Sequence, residues 1–230
     1  MHDSPSIANR WHDIVPRLSS AAVLIFLTLF ATWYHADSFT MLLMIAGVLM
    51  GREWQRLNAN KTLRFSSFGL VYLGLALFSA YWLRTTPLPH ANALEISPYY
   101  IWISFVIVWS SDTAAYVFGR MIGGPKLCPR ISPKKTWAGF LAALLVSHVV
   151  ALYCISYWQL PLPWWVVTFT TLAAVGGDLL ESWLKRKADV KDSGRLIPGH
   201  GGLLDRVDSL LAALPVMAAC VWGWSLSHAA

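Results

Sequence analysis

The side chains best placed to do chemistry are carboxylates in apolar surroundings. Asp112 stands inside a hydrophobic run, in Trp109-Ser110-Ser111-Asp112-Thr113. Asp178 and Glu181 follow Gly176-Gly177, and Asp205 and Asp208 follow Gly201-Gly202. Each pair is spaced by three residues, so its members share one helical face. A charge at the centre of a bilayer costs roughly 2.5–3.5 kcal/mol on insertion scales, so such residues face a polar cavity or a partner. The bland reading is anchoring at an interface, or salt bridges to the nearby Lys and Arg. Taken as a set flanking a Gly-rich loop, the carboxylates point instead to a divalent cation. Mg²⁺ takes one or two carboxylates and completes its shell with phosphate and water.

The loop between the two pairs contains Lys191-Asp192-Ser193-Gly194 and Pro198-Gly199-His200-Gly201-Gly202. Glycines let backbone N–H groups approach phosphate oxygens, and a helix N-terminus favours an anion. Gly201 and Gly202 are therefore candidate nucleotide contacts. His200 is a candidate donor or acid, though its pattern reads first as a turn residue. Asp205 and Asp208 also suit the first turn of a helix electrostatically, which is their structural explanation. A second loop offers Gly123-Gly124-Pro125-Lys126 and Ser132-Pro133-Lys134-Lys135-Thr136. It is not a P-loop, which needs GxxxxGK[ST] between a strand and a helix. Lys134 and Lys135 are candidate phosphate contacts with positive-inside charge as their plain alternative.

The elements that must position these residues are membrane helices. The chain has 230 residues, 56% hydrophobic and 13% charged, about half the charge of a soluble domain. Its mean hydropathy is +0.50. The expected class is all-α, a polytopic membrane bundle of about seven transmembrane helices. Spans are expected near 18–35, 39–54, 65–83, 99–118, 137–158, 162–181 and 207–227. With the N-terminus cytoplasmic, only Arg84 of the 18 Lys and Arg falls outside. This basic bias makes the net charge of +6 a matter of topology, and nucleic acid is not an expected partner. Cys128, Cys154 and Cys220 form no CxxC motif and imply no disulfide framework. No cleavable signal peptide is evident. The chain divides into N-terminal helices, 1–98, and a catalytic region, 99–230. Within the latter, the inside loops 119–136 and 182–206 are longer than adjacent helices need.

The run from Ser182 through Lys185-Arg186, Lys191-Asp192-Ser193-Gly194 and Pro198-Gly199-His200-Gly201-Gly202 to Asp205-Arg206-Val207-Asp208 resembles the signature of phosphatidate cytidylyltransferases, the CDP-diacylglycerol synthases. Ser111-Asp112-Thr113, Ser132-Pro133-Lys134-Lys135-Thr136-Trp137 and Gly177-Asp178 through Glu181-Ser182 are similar to further segments of that family. The resemblance covers the C-terminal half from about Trp109 and implies a reaction, CTP plus phosphatidate giving CDP-diacylglycerol and pyrophosphate. It implies Mg²⁺ held by Asp178 and Asp205, with Asp208 next in line, Asp112 as a further candidate, and a second cation, monovalent or divalent. Lys185, Arg186 and Arg206 become candidate phosphate contacts.

It further implies the cell inner membrane, with the active site on the cytoplasmic side, and a homodimer. Two departures stand out: Ala138 occupies a position expected to be acidic, and the chain is short for the family, with one or more N-terminal helices expected to be missing. Other readings are a different CTP-using lipid enzyme (a polyprenol kinase or ether-lipid cytidylyltransferase), a transporter using Asp112 and Asp178, or a non-catalytic paralogue. A CDP-alcohol phosphotransferase is disfavoured, since its DGxxAR motif is absent.

Overall fold

A computed structural model describes residues 7–57, 63–87, 98–188, 190, 192–194, 196 and 201–228, with the backbone alone for 7–18 and 63–66. Among the described residues the chain forms seven helices and one hairpin. These are α1 (Ile7–Tyr34), α2 (Ala36–Leu57), α3 (Leu63–Thr85), α4 (Tyr99–Ile122), β1 (Lys126–Cys128), β2 (Ser132–Thr136), α5 (Trp137–Tyr157), α6 (Trp164–Lys187) and α7 (Leu204–His228).

Among the described residues four helical stretches are long and apolar enough to cross a membrane: Ser67–Thr85, Tyr99–Ile122, Trp137–Tyr157 and Leu204–Ser227. The apolar part of α1, Ser19–Tyr34, is shorter. Helices α2 and α6 carry clustered charge at one end, which lowers their average, and they fall outside that group. Thus the expected helices are present, and four of them meet the length and composition of a span. Outward faces are apolar as well: Phe26, Phe30, Val71, Leu145, Val149 and Tyr153 are all exposed. A helix apolar all round needs hydrocarbon on its free side.

Three boundaries differ from the sequence expectation. Helix α1 starts at Ile7, ahead of the apolar run, and His35 alone separates it from α2. Helix α6 runs on to Lys187, because Glu181, Leu184, Lys185 and Arg186 are good helix formers and continue the helix past its apolar part. The loop expected over 119–136 is largely an antiparallel hairpin pairing Lys126 with Thr136 and Cys128 with Ser132. Its second strand feeds straight into α5, whose N-cap is Thr136, with Oγ1 accepting from Gly139 N at 3.1 Å.

Helix α4 packs most extensively on α5, and α6 on α7. The α6–α7 approach is tight at Gly177, where a Cβ would lie 2.7 Å from Asp208 O. One core cluster holds Phe39, Leu83, Tyr100, Ile155, Leu160 and Leu162 at one end of the bundle. At that end Arg84 is buried in the last turn of α3 and donates from Nε to Thr32 O at 2.8 Å. At the other end Met50, Trp54, Leu73, Leu184, Leu204 and Leu211 join α2, α3, α6 and α7. That second cluster is the floor on which the carboxylates stand.

Candidate active site

The last turns of α6 and the first turns of α7 face each other beside the hairpin and the second half of α4. This juxtaposition brings Asp112, Asp178, Glu181, Lys185, Asp205 and Asp208 to one place. Two kinds of environment result.

On the hairpin side the groups are loosely held. Lys135 Nζ lies 2.7 Å from Asp178 Oδ2, and both side chains are partly exposed. Ser182 Oγ donates to Asp178 Oδ1, and Ser209 Oγ to Asp112 Oδ1, each at 3.4 Å. An opening lined by Asp112, Lys135, Thr136, Phe140 and Asp178 gives access to these groups. Asp112, Asp178 and Asp208 lie within electrostatic reach of one another. Alternation along β2 puts Lys134 on the opposite, exposed face from Lys135. The strand therefore delivers one of the two candidate lysines to the carboxylates.

On the loop side the groups are tightly held. Asp205 accepts from Ser193 N at 2.9 and 3.2 Å, from Gly202 N at 2.9 Å and from Lys185 Nζ at 2.9 Å. The Gly202 amide thus goes to Asp205, a carboxylate within the chain, rather than facing outward as a phosphate donor. A Cβ at Gly202 would overlap Ser193 Oγ and crowd the Glu53 carboxylate, so this close approach requires glycine. Lys185 lies beyond the apolar stretch of α6. Burial works against its charge, but the hydrogen bond to Asp205 and the fields of Glu181 and Asp205 outweigh it and hold the ammonium above the usual lysine range. Arg186 and Arg206 are exposed at the rim.

Glu53 is the residue that sequence reasoning did not single out. It comes from α2, is 3% exposed, and accepts from Leu203 N and Leu204 N at 2.9 Å each. Its one sequence signal is a carboxylate at the inner end of a span, in Gly51-Arg52-Glu53-Trp54. His200, Lys191 and Arg195 lie outside the described residues. Ala138 sits half-buried in the first turn of α5.

The donor set suits a hard cation. Both oxygens of Glu181 are buried without a hydrogen-bond partner among the described residues, and Lys185 Nζ stands 3.6 Å from Oε1. No group of three or more His, Cys, Asp or Glu among the described residues is poised around a common point. Mg²⁺ needs only one or two carboxylates when phosphate fills its remaining positions, so the residues present fit it.

Residues 65–223, more than half of the chain, match the cytidylyltransferase family. The chain belongs to that family. A phosphatidate cytidylyltransferase of Brucella suis biovar 1 (strain 1330) is 35% identical, over 89% of this chain and 92% of that protein. The phosphatidate cytidylyltransferase of Staphylococcus saprophyticus is 40% identical over 66% of this chain and 56% of its own length. That of Staphylococcus epidermidis is 48% identical over 51% of this chain and 47% of its own. At 89% of this chain, the match to the Brucella protein extends into the N-terminal helices, where the sequence alone showed only hydrophobic spans.

Proposed function

We propose that this membrane protein transfers the cytidylyl group of CTP to phosphatidate, releasing pyrophosphate and leaving CDP-diacylglycerol. The observation that carries the reading is a carboxylate cluster at one end of an apolar bundle, flanked by Lys135 and Lys185, in a chain of the cytidylyltransferase family. A phosphate oxygen of the lipid attacks the α-phosphorus of CTP. The new P–O bond forms as the bond to the β-phosphate oxygen breaks, and that oxygen leaves with pyrophosphate. No covalent enzyme intermediate is needed.

Asp178, with either Asp112 or Asp208 beside it, would hold Mg²⁺, which would neutralise phosphate charge and help align the two reactants. Asp205 joins them when Lys185 swings from it to a phosphate, because as placed its acceptor positions are filled. Lys135 sits beside Asp178 at the opening and suits the triphosphate. Lys185, Arg186 and Arg206 provide further positive charge for phosphate oxygens, with Lys134 at the margin. An apolar recess lined by Trp54, Leu57, Tyr72, Leu73 and Leu211 opens beside Glu181 and Asp208. Its apolar lining would meet the apolar part of a lipid whose tails stay in the membrane. The basic end of the bundle would face the cytoplasm at the inner membrane, where CTP is found. A homodimer and a second cation belong to the same proposal.

The test is transfer of label from α-labelled CTP to a chloroform-soluble product, with purified protein, phosphatidate and Mg²⁺ in detergent. Labelled CDP-diacylglycerol, lost with chelator and with Asp178→Asn, is expected. No product from wild-type protein that still binds CTP would overturn phosphatidate as the acceptor.

A further inference from the structure

Backbone amides at the start of a helix have no partner within the helix, and the helix dipole makes them attractive to an anion. In α7 that seat is already taken. Leu203 N and Leu204 N each donate at 2.9 Å to the carboxylate of Glu53, and Ser193 Oγ donates to it at 3.4 Å. Glu53 is contributed by α2, about 150 positions earlier in the chain. Among the described residues no Lys or Arg forms an ion pair with it. Its charge is compensated by backbone amides and the end of α7. Ser193 connects two carboxylates, with its amide on Asp205 and its hydroxyl on Glu53.

We infer that Glu53 is a positioning residue that fixes Ser193, Leu203 and the first turn of α7, and through them the aim of Asp205 and Asp208. A nucleotide phosphate taking its place would leave a buried carboxylate unpaired, a costly exchange. Substrate phosphates therefore meet the side-chain cations, and the helix end serves to hold the site in shape. The role of Glu53 in turnover rests on the cytidylyl-transfer reading; its hold on the loop does not.

Glu53→Gln is nearly isosteric, but its single carbonyl oxygen can serve only one of the two amides, and its NH₂ meets the other donor to donor. Glu53→Asp keeps the charge, and Met50→Ala removes only packing from the same helix. Two readouts are taken on full-length protein in detergent. Hydrogen exchange at the Leu203 and Leu204 amides should speed up at least about 10-fold in Glu53→Gln, and less in Glu53→Asp, while Met50→Ala leaves it near wild type. In the transfer assay, Glu53→Gln should lower kcat about 30-fold, in line with the cost of small misplacements, with KM for CTP within about 3-fold. Glu53→Asp should recover part of that kcat, and Met50→Ala should lower the melting temperature while sparing kcat. Unchanged exchange in Glu53→Gln would overturn the inference, as would a kcat loss that merely follows melting temperature across all three variants. Faster exchange with no cytidylyl transfer by wild type would sink the functional reading and uphold the hold of Glu53 on the loop.

Discussion

The two sides of the site are built on different plans. Asp205, on the loop side, receives two backbone amides and a lysine, with Glu53 filling the helix end behind it. Asp112 and Asp178, on the hairpin side, have long hydroxyl contacts and one partly exposed lysine between them and the opening. The difference separates holding from reacting. A carboxylate with all its acceptor positions filled organises the backbone around it. One with spare lone pairs at an opening can exchange its partner for a cation or a substrate.

Asp205→Asn should have the largest effect, because it removes a charge on which two amides and Lys185 converge. Transfer should fall by more than about 1000-fold, and stability by about 2–4 kcal/mol, as when one member of a buried charged network is lost. Both are read from one preparation by initial rate and thermal melt. Asp178→Asn should separate the two quantities. Activity should fall at least about 100-fold, as for loss of an interaction used mainly in the transition state. Its half-exposed ion pair with Lys135 is worth only about 0–1 kcal/mol to the fold. Equal destabilisation by the two variants would erase the distinction between the sides.

A smaller contrast lies along β2. Lys135→Ala should raise the CTP concentration needed for half-maximal rate about 10-fold, on the scale of one charge-assisted contact. Lys134→Ala, on the exposed face of the same strand, should stay within about 2-fold. Similar losses from both would mean that the alternation of the hairpin does not set which lysine meets phosphate. Thr136→Val should cost about 1 kcal/mol in the melt through loss of the α5 N-cap.

The carboxylates were legible because charge in an apolar run is conspicuous, and the Gly-rich run ahead of Asp205 carried the family signature. Glu53 was not. Arg52 and Arg56 flank it, so it resembles an ordinary charge at a helix end, and its partners are amides about 150 residues away that carry no side-chain signal. The hairpin was hidden for another reason. Ser132-Pro133-Lys134-Lys135 lacks the apolar alternation that marks a strand, and its pairing is set by the α4–α5 junction it bridges. The end of α6 was missed because span length follows hydrophobicity, whereas the helix follows backbone propensity and continues to Lys187. Helix existence was therefore easier to read than helix ends, and residue chemistry easier than the partners that hold it.

Cytidylyl transfer to phosphatidate parts the two ends of the nucleotide, so following both ends tests for it. Wild-type protein would be given phosphatidate, Mg²⁺ and CTP labelled at either the α- or the γ-phosphate, and the lipid and aqueous phases counted. The α-label should appear in the lipid and the γ-label in aqueous pyrophosphate, in equal molar amounts. Label from the γ-phosphate in the lipid would instead identify a kinase and contradict cytidylyl transfer.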